Sequence, residues 1–471
     1  MILSFAFGTV LAQSMGTEVT IYNQGFALVK EVRQLDLRSG RQNVAIENVA
    51  AAIEPTSVGI KSLGAADAFE VYEQNYVFDL INPIGILNKA VGSIVRFHRT
   101  LPNGTKEVLI GKLMSAPTGV NNSPLGTSYP GMVIQSTDGR VILDPVGEVE
   151  VESIPQGMIS KPTLIWDLHA NKAGQTPVEL SYLTQQMSWN ANYVLTLDEA
   201  QKSNLKGWVT LTNNSGVAYT DAKLKLLAGD VQRAQRPTGG FGGGGRAGAE
   251  MMKADNRFVE ESLFEYHLYT LQRPATMKNK ETKQISLLES PQLTTTKKLV
   301  VDSLRDYGVY YPNETEVGTG MIKPIVLVEF MNTKANGLGI PLPAGAVKVY
   351  QRDKSGSVQM LGEDSIQHTP REEKISLFVG RSFDVVASRK RVSFNWVGGS
   401  RTSTDEVFEI EVRNRKEVPE TVHVMERRYA EWEILEKSMD FEKLDSNTMQ
   451  FVVRLNPNEV KTIRYRVRTH W

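Results

Sequence analysis

Residues Glu18 to Leu37 read EVTIYNQGFALVKEVRQLDL, two runs rich in Val, Ile, Leu and Phe on either side of Asn23-Gln24-Gly25. Side chains alternate across a strand, so apolar residues at every second position mark strands with one packed face and one wet face. A short Gly-containing stretch between two such runs reads as a hairpin turn, because glycine supplies the positive φ that a tight connection requires. The same alternation continues in RQNVAIENV (Arg41 to Val49) and AFEVYEQNYVF (Ala68 to Phe78), and long helical periodicity is scarce. The chain is therefore expected to be all-β, and residues 17–80 are read as an N-terminal β-domain.

Further along, GSIVRFHRTLPNGTKEVLIGKLMSAP (Gly92 to Pro117) and GMVIQSTDGRVILDPVGEVEVESIP (Gly131 to Pro155) contain about five short strands separated by Asn103-Gly104 and Asp138-Gly139. This predicts a small SH3-like barrel over 84–155. No aromatic cluster of the kind that lines a proline-reading groove stands out here, which favours packing against a neighbour over peptide binding. Residues 160–300 and 320–471 are read as two antiparallel, immunoglobulin-like β-sandwich modules. A faint echo joins them. VTLTNNSG (Val209 to Gly216) and FEIEVRNRKE (Phe408 to Glu417) each run a strand into an Asn-marked turn, and Glu281-Thr282-Lys283-Gln284-Ile285 resembles Glu459-Val460-Lys461-Thr462-Ile463. Repeated sandwich units produce such an echo; chance likeness between β patterns is the alternative.

Arg236 to Asn256, RPTGGFGGGGRAGAEMMKADN, is the one low-complexity stretch. Gly240, Gly242 and Gly245 satisfy G-x-G-x-x-G formally, but a dinucleotide site needs a preceding parallel strand, a following helix and a later acid. Arg246 stands where a P-loop needs Lys-Ser or Lys-Thr. The stretch is read as an exposed, disordered loop.

The 471 residues suffice for roughly three domains. Lys plus Arg equals Asp plus Glu at 53 each, so no global basic field gathers phosphate backbones, and nucleic acid is not an expected partner. The absence of cysteine removes disulfides, thiolate metal sites and cysteine nucleophiles. Residues 1–12, MILSFAFGTVLA, form an apolar run ending in Val10-Leu11-Ala12, the small-residue spacing before a signal-peptidase cut. Cleavage after Ala12 is expected; the missing Lys or Arg keeps a buried first strand as the alternative. The run is shorter than the ~20 apolar residues that span a bilayer, and no later segment approaches that, so no transmembrane segment is expected.

The catalytic inventory is thin. There is no G-x-S-x-G and no H-E-x-x-H, and the S-x-x-K at Ser203 to Lys206 lacks its companion motifs. The six histidines show no ligand spacing, and neither a cofactor nor a metal site is expected. If chemistry exists, the place for it is Gly362 to Pro370, where Glu363, Asp364 and His368 fall between predicted strands. Adjacent acids point to opposite faces of a strand, so all three converge only if the backbone turns; otherwise Asp364 and Thr369 merely hold a turn. Trp166, Trp189, Trp208 and Trp396 are expected in cores rather than as a glycan platform. Arg381, Arg389, Lys390 and Arg391 are read as a solvated strand edge.

Several separated motifs resemble one bacterial family: SYLTQQMSWNANYVLTL (Ser181 to Leu197), VTLTNNSGVAYTDAKLKLLAGD (Val209 to Asp230), NTKANGLGIPLPAGAVKVYQRDKSGSVQMLGEDSIQHT (Asn332 to Thr369), VGRSFDV (Val379 to Val385) and IRYRVRTHW (Ile463 to Trp471). From about Thr17 to Trp471 the chain is similar to proteins carrying the domain of unknown function 4139, relatives of the mucoidy inhibitor A-like proteins. The resemblance implies an exported β-rich protein and supplies no catalytic residues. The expected function is that of a non-catalytic envelope or secreted protein, periplasmic, cell-surface or released, that binds a protein or glycan partner. The alternative is an envelope hydrolase built on a carboxylate pair, which leaves no compact motif.

Overall fold

A computed structural model describes residues 14–77, 81–100, 104–123, 126–155, 158–159, 161–198, 202–233, 258–303, 305, 319–399, 402–428 and 430–470. The expected signal peptide at 1–12 and the glycine-rich loop at 236–256 lie outside them. The chain divides into two compact units: Met1–Ser188 with Thr212–Leu226 and Arg273–Thr282, and Trp189–Leu211 with Leu227–Gln272 and Lys283–Trp471. Both are built almost wholly of strands.

In the first unit the opening hairpin forms as the alternation requires. Ser14–Tyr22 pairs with Phe26–Leu37 around Gly25, whose φ is +88°. Sheet order there is Tyr219–Ala228, Ser14–Tyr22, Phe26–Leu37, Gly174–Gln185, Gly59–Ser62. A three-stranded sheet, Gly40–Glu47, Thr163–Ala170 and Phe69–Val77, supplies further inward residues, among them the wholly buried Ile46, Leu164 and Trp166. Residues 17–80 are thus no separate domain. Their apolar faces are completed by strands more than a hundred residues downstream, a partner choice that local periodicity does not encode.

Residues 83–151 carry their own small core of Leu87, Val95, Phe97, Leu109, Leu113, Met132 and Ile134. Five antiparallel strands run in the order Val141–Leu143, Val133–Ser136, Lys106–Ser115, Ile94–Thr100, Glu148–Val151. A helix of about two turns that the sequence pattern did not announce, Pro83–Lys89, precedes them: Pro83 starts it and the Asn82 side-chain Oδ1 accepts the Gly85 N–H at 2.7 Å.

The second unit contains three larger sheets. One runs Glu281–Thr294, Lys202–Asn213, Met187–Leu197, Gly345–Arg352, Val358–Ile366, so the expected boundary near 320 is crossed by strand pairing. The other two enclose a core of Val385, Ala387, Phe408, Ile410, Val422, Phe451, Tyr465 and Val467. Most of the ladders are antiparallel, as the alternation led us to expect; among the described residues Ala191–Leu197 pairs in parallel with Gly345–Gln351, and Leu299–Asp302 with Val422–Met425.

The echo has a structural counterpart. Asn213, fully buried, donates its amide to the carbonyls of Val217 (2.9 Å) and Lys278 (3.1 Å) and accepts the Ser215 N–H. Asn414, also fully buried, donates to Val418 (2.8 Å) and Asn456 (3.1 Å) and accepts the Lys416 N–H. In each case a carboxylate three residues on from the second carbonyl, Glu281 or Glu459, accepts that residue's own N–H at 2.6 Å. Lys280 and Asn458 both sit at φ +58°.

Arg389 and Arg391 overturn the strand-edge reading. Their side chains are 6% and 4% exposed and lie inside the sandwich. Arg389 grips Glu426 through Nε (2.9 Å) and Nη2 (2.7 Å), Tyr465 donates to the same carboxylate at 2.6 Å, and Arg391 reaches Glu406 at 3.0 Å. The guanidinium of Arg389 stacks 4.0 Å from the Phe408 ring centroid. Burial opposes the Arg389 charge, but the Glu426 carboxylate and Tyr465 outweigh it and raise the group further. Trp166 and Trp189 are buried as expected, whereas Trp208 is 36% exposed.

Replacing Asn414 by Ala leaves buried carbonyls without a donor and should lower stability by about 2 kcal/mol, read as a lower urea midpoint at unchanged slope. Glu426→Gln strands the buried Arg389 and should cost about 3 kcal/mol or more, while Lys390→Gln on the solvent face should stay within about 0.5 kcal/mol.

Candidate functional site

The three residues singled out between strands do not converge. Asp364 is taken up by backbone: Oδ2 accepts the Phe378 N–H at 2.7 Å and Oδ1 the Ser365 N–H at 2.8 Å, tying Val358–Ile366 to Lys374–Arg381. Gly362 belongs to the same close approach, since a Cβ there would lie 2.3 Å from the Val379 carbonyl oxygen. Glu363 is exposed and stands opposite Lys348 in the ladder. His368 Nδ1 accepts the Ala344 N–H at 3.2 Å, which fixes the Nε2–H tautomer.

This turn is held from several sides. Buried Asn332 donates to the carbonyls of Ile340 and Pro370 at 2.8 Å each. Tyr269 donates to Pro341 at 2.9 Å and Tyr193 to Pro343 at 2.8 Å. The residues therefore act as a clamp on an extended Pro-containing segment, the structural reading of Gly362 to Pro370. Among the described residues no group of three or more His, Asp or Glu side chains could hold a metal ion.

A concave site that the sequence reading missed lies in the first unit. Inward positions of Phe26–Leu37 are Ala27, Val29, Glu31, Arg33, Leu35 and Leu37, so two charges interrupt an apolar face. Arg33 donates through Nε (2.8 Å) and Nη2 (2.5 Å) to Glu31 Oε2, with side chains 9% and 6% exposed. Over this pair opens a cavity of about 500 Å3 lined also by Thr17, Asn48, Gly216, Val217, Ala218, Tyr219, Thr220 and Asn279. Burial drives the Tyr219 phenol far above the ordinary tyrosine range, with Glu31 adding to the shift, so its hydroxyl stays protonated. Gly216 (φ +98°) turns the rim where a Cβ would strike Ala51 at 2.5 Å, and Asn279 accepts the Gly216 N–H at 3.2 Å. The break in alternation at residues 31 and 33 was the available signal.

A second concavity of about 610 Å3 in the other unit includes Trp432, Lys443 and His470. Its indole is committed: Nε1 donates to the Ser446 carbonyl at 2.9 Å and the Lys443 ammonium sits 4.7 Å from the ring centroid. The cavity over Glu31 and Arg33 is the better candidate, because there an inward-facing charged pair borders open space, whereas the inward charges of the second unit are covered by aromatic rings.

No family model matches the chain, and no curated protein matches it. Among solved structures, Escherichia coli alpha-2-macroglobulin activated by porcine elastase aligns with 98% of this chain and 50% of its own, at 10% identity and a TM-score of 0.11. The chain thus spans half the length of that protein.

Partial burial holds the His368 imidazole below the usual histidine value of 6.5, with His267 adding to the effect and Asp230 opposing it. The unfolded chain takes up the proton more readily, so the folded turn is favoured fully above about pH 6.5 and loses that contribution as pH falls below it. In an NMR titration His368 should titrate below 6.5 with the Ala344 amide moving in step, and His368→Gln should abolish the amide's response.

Proposed function

We propose that this chain is an exported, non-catalytic β-sandwich protein of the cell envelope or of the secreted fraction, which binds a protein or glycan partner. The observation that carries the reading is the cavity over Glu31 and Arg33: a concave, polar-lined site in which, among the described lining residues, the two charges neutralise one another. Such a site offers hydrogen bonds and shape. Glu18, Asp167, Asp405 and Glu420 are held below their usual range, with hydrogen-bonded Lys or Arg partners outweighing burial, so none of these four is poised as a general acid. For a protein partner, the outer face of the small five-stranded sheet presents exposed Ile94, Val108, Ile110, Val141 and Leu143 beside the Arg96–Glu150 ion pair. Export is supported by the apolar residues 2–12 and the absence of cysteine.

N-terminal sequencing of natively produced protein should give a mature chain starting near Gln13. Immobilised protein should retain an envelope component that neither Asn48→Gly with Thr220→Val nor Val108→Lys with Ile110→Lys retains equally, and should return it chemically unchanged. Turnover of the retained material overturns the reading in favour of the carboxylate-pair hydrolase; an uncut Met1 in the soluble cytoplasmic fraction overturns export.

A further inference from the structure

The cavity over Glu31 and Arg33 also carries information about the class of its ligand. Its lining holds one acid and one base, and they are hydrogen-bonded to each other at 2.5 and 2.8 Å. A charged ligand would give up its hydration shell to meet a site whose formal charge is already cancelled, which is unfavourable without a counter-charge. That argument weighs against nucleotides, phosphate and free carboxylates. A purely apolar ligand fares no better, because it would desolvate the exposed polar groups of Asn48, Thr220 and Asn279 without offering them a hydrogen-bond partner.

The remaining class is neutral and dense in groups that both donate and accept. Thr220 contributes a hydroxyl, Asn48 a planar amide, Asn279 the amide nitrogen of a side chain whose Oδ1 accepts the Gly216 N–H, and Glu31 a carboxylate that takes the Arg33 Nε–H and Nη2–H at Oε2. Hydroxyls and amides each supply donor and acceptor capacity side by side, the pattern that vicinal sugar hydroxyls match. About 500 Å3 lies within the range of small-molecule sites and accommodates one or two sugar rings. We infer that the cavity binds an uncharged saccharide, with Glu31 and the two asparagines reading its hydroxyls. The inference rests on the reading of the chain as a binding protein and names the ligand class of that site.

The test uses the full chain. Calorimetry or NMR shift mapping is run with glucose, mannose, N-acetylglucosamine and lactose, and in parallel with glycine and inorganic phosphate. Asn48 sits at φ +60°, so Asn48→Gly removes the amide while keeping a conformation that glycine adopts freely, and Thr220→Val removes a hydroxyl at constant shape. At least one neutral saccharide should bind, and each substitution should weaken it by about tenfold, the loss of one to two hydrogen bonds, with the melting temperature unchanged. Preference for glycine or phosphate, no saccharide binding at millimolar concentration, or binding that both variants retain in full would each overturn the inference. These results leave the binding reading standing if an envelope component is still retained. New reducing ends in the saccharide incubation would instead sink the non-catalytic reading while leaving the ligand class intact.

Discussion

A sandwich closes only if the polar backbone at the ends of its inner faces is satisfied where loops leave and return, and here fully buried asparagine amides meet that constraint. Asn213, Asn332 and Asn414 each hold two or more carbonyls and accept a backbone N–H. A primary amide carries two donors and an acceptor on one rigid plane, so it binds two strands of loop to one strand end without adding charge. Loops fixed in this way position what lies beside them. The Asn213 turn leads directly into Gly216 to Thr220, the rim of the cavity over Glu31 and Arg33, and Asn332 sets the segment whose Ala344 N–H engages His368.

Both units place ion pairs on inward strand faces, with different outcomes. In the second unit the Arg389–Glu426 pair is covered by Phe408 and Tyr465, and Arg391, paired with Glu406, stacks on Phe394. In the first unit Glu31 and Arg33 lie at i and i+2 of one strand, and space remains above them. Desolvating such groups costs several kcal/mol each and the pair recovers that only with good geometry, so neither arrangement is the most stable core available. The sealed network is read as specifying one register and sheet pairing. The open one faces a cavity.

The sites differ in how far they could be read beforehand. Gly362 to Pro370 drew attention because acids and a histidine clustered in sequence, but adjacency in a strand sends Glu363 and Asp364 to opposite faces, and Asp364 is committed to Phe378. Glu31 and Arg33 were visible as a break in period two. What could not be seen is that Asn48, residues 216–220 and Asn279 gather over that break, since these positions are brought together by strand pairing across more than two hundred residues. Arg389 and Arg391 were misread for a related reason: their acids, Glu426 and Glu406, lie far enough away that the cluster looked unpaired.

By itself the sequence determined the all-β class, the opening hairpin with its Gly25 turn, the repeated strand-to-asparagine turns and the run of short strands over 84–155, because each depends on alternation and turn chemistry within a few residues. Tertiary structure alone decided that residues 17–80 share sheets with Thr163–Gln185, that Ala191 and Leu299 begin parallel ladders, which arginines are buried, and where a cavity opens. The physical reason is that a strand's alternation states which face is buried and says nothing about which strand will cover it.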